Sequence, residues 1–142
     1  MTEPVRTAAP TPLEIDDTTA PFWAAARKHR LVIQRCQACG LYLHYPRPVC
    51  RRCRSFDLAF EEVSGRGTLY SFTETVKAFH PFFADRTPYV VATVELAEQA
   101  GLQFLTNVVG TPAAELAFGA PVQVTFEERF PDLTVPVFEV VR

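Results

Sequence analysis

The 142-residue sequence specifies a mainly β protein: an N-terminal helix and a four-cysteine zinc ribbon, followed by a five-stranded barrel. Three features point there. All four cysteines stand in two Cys-x-x-Cys pairs, Cys36/Cys39 and Cys50/Cys53. From Gly67 onward the pattern changes to the period of two expected of half-buried strands. Finally, the elements run three strands, a short helical segment and two strands, which is the element order of an OB barrel. The expected division is a disordered lead-in over 1–18, helix and ribbon over 19–60, and barrel over 61–142.

The lead-in carries Pro4, Pro10 and Pro12 among Thr and Ala, with no apolar periodicity. Asp16-Asp17-Thr18-Thr19 offers helix N-cap residues and Pro21 fits a first turn. Good helix formers run from Ala20 to His29, with cations at the C-terminal end where the helix dipole favours them. Phe22, Trp23 and Ala26 form the apolar stripe, which either packs on the ribbon or, through the chain's one Trp, meets a partner. Leu31–Arg35 is expected to lead as a strand into the first cysteine pair, and Leu41–Tyr45 to return, before Pro46 and Pro48 end the pairing. Ser64-Gly65-Arg66-Gly67 marks the junction; with no helix after it, it does not make a phosphate-cradling loop. The barrel strands are expected at Thr68–Val76, Pro88–Leu96, Leu102–Val109, Val122–Phe126 and Val135–Val141. Between the third and fourth, Thr111 and Pro112 start a short helical turn that Gly119 ends.

Two Cys-x-x-Cys turns facing one another supply four thiolates in a tetrahedron, the set that suits Zn²⁺. Gly40 sits where the tight knuckle needs a positive φ. Two disulfides would need an oxidising compartment, and no apolar leader precedes the ribbon, so a cytoplasmic location is expected. A thioredoxin-type redox pair would open a helix in a βαβ unit, which these Pro- and Arg-rich loops do not resemble. Iron uses the same four ligands; zinc is favoured because no electron-transfer site adjoins. A four-thiolate site has no open position, so the metal is structural. His44 lies between the pairs but is a strand residue, the ligand set being already filled.

Net charge is −2, but its distribution is uneven. No acidic residue occurs between Asp17 and Asp57, a span that holds eight of the 14 Lys and Arg residues, Arg47, Arg51 and Arg52 among them. Part of this offsets a tetrathiolate centre of charge about −2; the rest suits an anionic partner: a phosphate-bearing ligand, an acidic protein surface or nucleic acid. No apolar run approaches the roughly 20 residues that span a bilayer. The barrel is acidic (Glu61, Glu62, Glu74, Glu95, Glu98, Glu127, Glu128), which argues against the alternative of a single-stranded nucleic-acid-binding protein. His29, His44 and His80 have no matching Ser/Asp arrangement, so no catalytic residue is assigned. The loop Lys77–Arg86 is long for a hairpin and carries Phe79, His80, Phe82 and Phe83, which either cap the core or dock on a partner.

Four stretches occur in an order that resembles a known family: the Phe22-Trp23 helix, the ribbon with Cys36-Gln37-Ala38-Cys39-Gly40, the junction from Ser64 to Thr73 (SGRGTLYSFT), and the strand from Pro88 to Leu96 (PYVVATVEL). Over about Pro21 to Arg142 the chain resembles the acyl-CoA-associated OB-fold proteins with an N-terminal rubredoxin-like zinc ribbon. The resemblance implies an accessory, non-catalytic subunit that binds a thiolase-fold enzyme: a thiolase, an acyltransferase or a lipid-transfer-protein-like aldolase. Some members join MaoC-like enoyl-CoA hydratases, as in bacterial steroid side-chain degradation. It further implies a role in organising the partner's acyl-CoA site. Phe22, Trp23, Arg47, Arg51, Arg52, Phe79, His80, Phe82 and Phe83 are the residues available for partner or CoA contact.

Overall fold

The computed structural model describes residues 13–130 and 133–142; most of the expected lead-in, residues 1–12, lies outside them. Helix α1 (Ala20–Arg27) starts from a turn in which the Thr19 amide donates to Asp16 Oδ1 at 2.9 Å. Its end satisfies the last carbonyls by a Schellman arrangement: the Arg30 amide donates to Ala25 O and the His29 amide to Ala26 O. That motif needs a left-handed residue, and His29 supplies it at φ 56° without being glycine. The strain of about 1–2 kcal/mol is offset by packing, because the His29 ring stacks on Phe126 of the barrel at 5.1 Å.

The ribbon is a three-stranded antiparallel sheet, β1 (Val32–Cys36), β2 (Tyr42–Leu43) and β3 (Leu58–Glu62), in the order β2-β1-β3. Strand β2 is shorter than the expected Leu41–Tyr45. Strand β3 is not evident from the sequence: its five residues show no clean alternation, and their register comes from β1, from Val32↔Glu62 to Cys36↔Leu58. Barrel strands β4 (Arg66–Thr75), β5 (Tyr89–Leu96), β6 (Gln103–Val108), β7 (Pro121–Phe130) and β8 (Leu133–Val140) close in the order β4-β5-β6-β8-β7. The expected strand–strand–strand–helix–strand–strand order holds. The intervening helix is one 3-10 turn, Ala113–Glu115, entered from Pro112 rather than capped by Thr111. Strand β7 outruns the expected Val122–Phe126 because β8 pairs along it as far as Phe130↔Leu133.

Strong alternation places Val90, Ala92, Val94 and Leu96 of β5 inside the barrel, beside Leu69, Phe104, Val122 and Phe138. The core does not stop at the barrel. Phe22 of the helix, Leu31 and Ile33 of the ribbon, and Val63 belong to the same buried cluster. A smaller cluster, Leu41 and Leu43 with Cys36 and Cys50, surrounds the sulfurs. A polar clamp joins the modules at the rim. The Gln99 side chain, in the β5–β6 hairpin, accepts from the Tyr42 amide at 3.0 Å and donates to its carbonyl at 3.3 Å. It thus occupies the outer edge of β2 as a neighbouring strand would.

The glycines of the junction have a steric reason. A Cβ on Gly67 would collide with the Glu95 carbonyl oxygen and come within 2.8 Å of Val94 Cγ1. Gly65, at φ 76°, faces Val124 just as closely. Strand β4 crosses β5 and reaches β7 at this point, Gly67 pairing with both Leu96 and Val122. Barrel closure therefore needs a bare backbone here.

Candidate metal centre and adjoining groove

The ribbon's two knuckles repeat one local design. In the first, the Cys36 amide donates to Leu41 O and the Gly40 amide to Cys36 O; in the second, Cys50 donates to Ser55 O and Arg54 to Cys50 O. The fifth residue of each turn is left-handed, Gly40 at φ 79° as expected and Arg54 at φ 64°. Repetition of the turn aims four sulfurs at one point. Cys36 and Cys53 Sγ are 3.5 Å apart, Cys39 and Cys50 Sγ 3.7 Å, and all four lie within 4.8 Å of one another. Tetrahedral coordination at a metal–sulfur distance of about 2.3 Å requires sulfurs about 3.8 Å apart. The cysteines therefore form a metal-binding cluster, and its donors fit a tetrahedral thiophilic ion.

Without an ion the thiols compete. The Cys39 thiol is drawn down to about 6, chiefly by a hydrogen bond from the Leu41 backbone and in part by Arg52. The Ser55 backbone pulls Cys53 down, yet crowding by the Cys36 sulfur, burial and the other two sulfurs leave it pushed up to about 12. Arg52 also donates to the Cys39 carbonyl at 3.0 Å. Its cation thus serves the cluster, as the charge pattern anticipated for part of the basic span. Two other arginines are taken up by the ribbon's own carboxylates: Arg30 meets Glu62 at 2.6 Å and Arg35 meets Glu61 at 3.6 Å. Arg47 and Arg51 remain exposed. The Arg47 backbone is fixed by the buried Gln34, whose side chain donates to its carbonyl and accepts from its amide, both at 2.8 Å.

The other residues singled out in the sequence divide by burial. Phe22 is core, in edge contact with Trp23 and 6.1 Å from Phe104. Phe82 is also buried, turned inward by the 3-10 segment Pro81–Phe83, with the Arg86 guanidinium over its ring at 4.3 Å. His80 supports that turn, its Nδ1 accepting from the Phe82 amide at 3.1 Å. Phe83 is partly buried against Tyr89. Phe79 alone of the loop's three phenylalanines is solvent-facing, 80% exposed.

Sequence reasoning missed a groove of about 530 Å³ where helix, ribbon and barrel meet. Trp23, His44, Tyr45, Phe83, Leu105 and Pro136 are among its lining residues. A second, more polar hollow shares Phe83, Tyr89, Asn107 and Arg129 with it. Arg129 is held there by Asn107 Oδ1 at 2.6 Å and Glu127 at 3.2 Å. His44 is not a metal ligand: its ring stacks on Phe104 at 4.7 Å and contacts Tyr45 at 4.5 Å. The His-Tyr-Pro run was the available signal, but its proximity to the cysteines concealed it.

Burial lowers the His44 imidazole to about 4. An unfolded imidazole titrates near 6.5, so the folded state resists protonation. The resulting stability is present above pH 6.5 and is lost as pH falls from 6.5 toward 4. The loss is expected to reach about 3 kcal/mol. Denaturant unfolding of wild type and His44→Phe, compared between pH 7 and 4, should isolate it, because the cysteine cluster titrates in both proteins and cancels. Parallel pH curves would show that His44 is not the group responsible.

Comparison with known proteins agrees with this architecture. The rubredoxin-like zinc ribbon domain of ChsH2 matches residues 23–59, and the C-terminal OB-fold domain of ChsH2 matches residues 60–127. The chain is 45% identical over 118 residues to a probable enoyl-CoA hydratase alpha subunit from Thermomonospora curvata, covering 82% of this chain but 36% of that protein. The chain thus spans about a third of that relative's length. A DUF35 domain-containing scaffold protein from Methanocaldococcus jannaschii is 30% identical over 101 residues, covering 70% of this chain and 69% of its own. Among solved structures, the Ltp2-ChsH2(DUF35) aldolase matches with a TM-score of 0.82 and 40% identity, over 91% of this chain and 98% of that one. With both modules matched in order, the chain belongs to the ChsH2 family of DUF35 proteins, a rubredoxin-like zinc ribbon followed by an OB-fold domain.

Proposed function

We propose that the chain is a non-catalytic accessory subunit that docks on a thiolase-fold enzyme (a thiolase, an acyltransferase or a lipid-transfer-protein-like aldolase) and helps to organise its acyl-CoA site. A MaoC-like hydratase is a further candidate partner. The observation that carries this reading is the match to the Ltp2-ChsH2(DUF35) aldolase over nearly the full length of both chains. The side chains agree with it. The four cysteines form one cluster, and each histidine has a packing role: His29 on Phe126, His44 on Phe104, and His80 under the Phe82 amide. A nucleophile paired with a base, the ordinary sign of an independent catalyst, does not occur among the described residues.

Zinc is the ion we assign to the cluster, held by Cys36, Cys39, Cys50 and Cys53. When bound it supplies charge neutralisation and a cross-link between the knuckles, and no reaction step is routed through it. A cytoplasmic location accords with unpaired cysteines and is part of the same proposal; among the described residues no helix is long and apolar enough to cross a membrane. Single-strand binding is disfavoured because Glu74 and Glu127 line the polar hollow beside Arg86 and Arg129, offsetting the cations that a phosphate backbone requires.

Affinity capture with the tagged chain tests the function. Co-elution of a thiolase-like enzyme is expected. Phe79→Ala should weaken that association about tenfold, the scale of an interface anchor, with an unchanged melting temperature because Phe79 is exposed. Recovery of nucleic acid that a modest rise in salt releases, with no thiolase-like protein, would sink the proposal.

A further inference from the structure

The four cysteines share one task but not one environment. Cys36 and Cys50 are each 1% exposed, Cys39 is half-buried, and Cys53 alone of the four is open to solvent. The fold causes the difference. Cys36 ends β1, paired with Leu58 of β3, and Cys50 is closed in with Leu41 and Leu43. Cys53 lies instead on the outer turn of the second knuckle, where Arg51, Arg52 and Arg54 are exposed as well. Arg51 and Arg54 meet no carboxylate among the described residues. Reactive cysteines occupy surroundings of this kind, partly open and electropositive. A cysteine that ligates a metal is moreover held as the thiolate, its nucleophilic form. A second sulfur stands within reach: Cys36 Sγ lies 3.5 Å from Cys53 Sγ, across the two knuckles. A closing shift of about 1.5 Å would bring the pair to bonding distance.

We infer that Cys53 is an oxidation site for hydroperoxides, and that its oxidation opens the metal centre. The Cys53 thiolate attacks one peroxide oxygen; the O–O bond breaks, hydroxide or alkoxide leaves, and the sulfur, oxidised by two electrons, becomes a sulfenic acid. The Cys36 thiolate then attacks that sulfur, forming an S–S bond and expelling hydroxide. The peroxide is thereby reduced by two electrons, and two of the four thiolate donors are consumed. Cys39 and Cys50 do not complete a tetrahedral set, so the ion is released. A thiol reductant and fresh metal restore the ribbon. This inference rests on the zinc assigned above but not on the docking role, and it is tested on the chain alone.

The zinc-loaded chain would be treated with hydrogen peroxide, zinc release followed with a chromogenic chelator, and the cysteines mapped by mass spectrometry at early times. Release in step with disulfide formation is expected, with Cys36 and Cys53 the first pair joined. Cys53→His keeps a donor set of three cysteines and a histidine; it should slow release more than about tenfold, because the exposed thiolate is gone. Cys36→His should leave Cys53 as a sulfenic acid that dimedone traps. If either variant fails to load zinc, the wild-type map still decides. A first disulfide other than that between Cys36 and Cys53, or release from zinc-loaded Cys53→His at the wild-type rate, overturns the inference. A wrong metal assignment would show earlier, as a chain that holds no zinc before peroxide is added.

Discussion

Replacing Cys50 by Ser, or stripping the metal with a chelator, is expected to unfold the ribbon while the barrel strands remain paired. Leu31 and Ile33 of β1 share the barrel's core, but the two knuckles have little else to hold them. Their private core is Leu41 and Leu43 around the buried Cys36 and Cys50, and β2 is only two residues long. Burying two leucines contributes about 3–6 kcal/mol, whereas structural zinc contributes about 10–16 kcal/mol of apparent folding free energy. The ion dominates. Without it the crowded sulfurs, Cys53 above all, must take up protons. Amide exchange should show loss of protection over 31–62 and retention in β5 and β6. Partner association, in the function proposed above, should fall with it. Turnover lost from a complex whose ribbon and association are both intact would contradict a structural role for the metal.

Gly67→Val is expected to prevent barrel closure. The new Cβ meets a carbonyl oxygen of the neighbouring strand, not the yielding end of a side chain. Accommodation means parting β4 from β5 or from β7, and Gly67 is registered to both. Overpacking of a flexible core costs about 1–3 kcal/mol; here the backbone itself must move, so a loss of more than about 4 kcal/mol, enough to leave little soluble protein, is expected. Substituting Gly101, around which nothing lies within 4 Å, is the comparison, since it adds only left-handed strain. A Gly67→Val protein with wild-type denaturant midpoint would show that the junction glycines are not closure elements.

These two cases mark what the sequence reveals readily. Metal spacing and strand alternation are local patterns, so the cysteine cluster and the barrel order were legible, and the junction motif stood out before its steric reason was known. The features that escaped notice depend on distant partners. Strand β3 takes its conformation from β1, and its residues alone carry no period. The loop Lys77–Arg86 was recognised, but not that its 3-10 turn directs Phe82 inward and leaves Phe79 outside. The groove was invisible because Trp23, His44 and Leu105 approach only after the ribbon docks on the barrel. His44 drew attention for its nearness to cysteines in sequence, while its physical neighbour is Phe104, some sixty positions away.

The Gln99 clamp bears on how freely the two modules can be exchanged. Because a barrel side chain completes the outer edge of the ribbon sheet, that edge is furnished by residues far outside the ribbon's own stretch of sequence. A ribbon grafted onto another barrel would therefore expose an unpaired strand edge to other chains, unless the hairpin at 97–101 travelled with it. Any such graft must carry the landing loop and a matching apolar surface for Leu31 and Ile33.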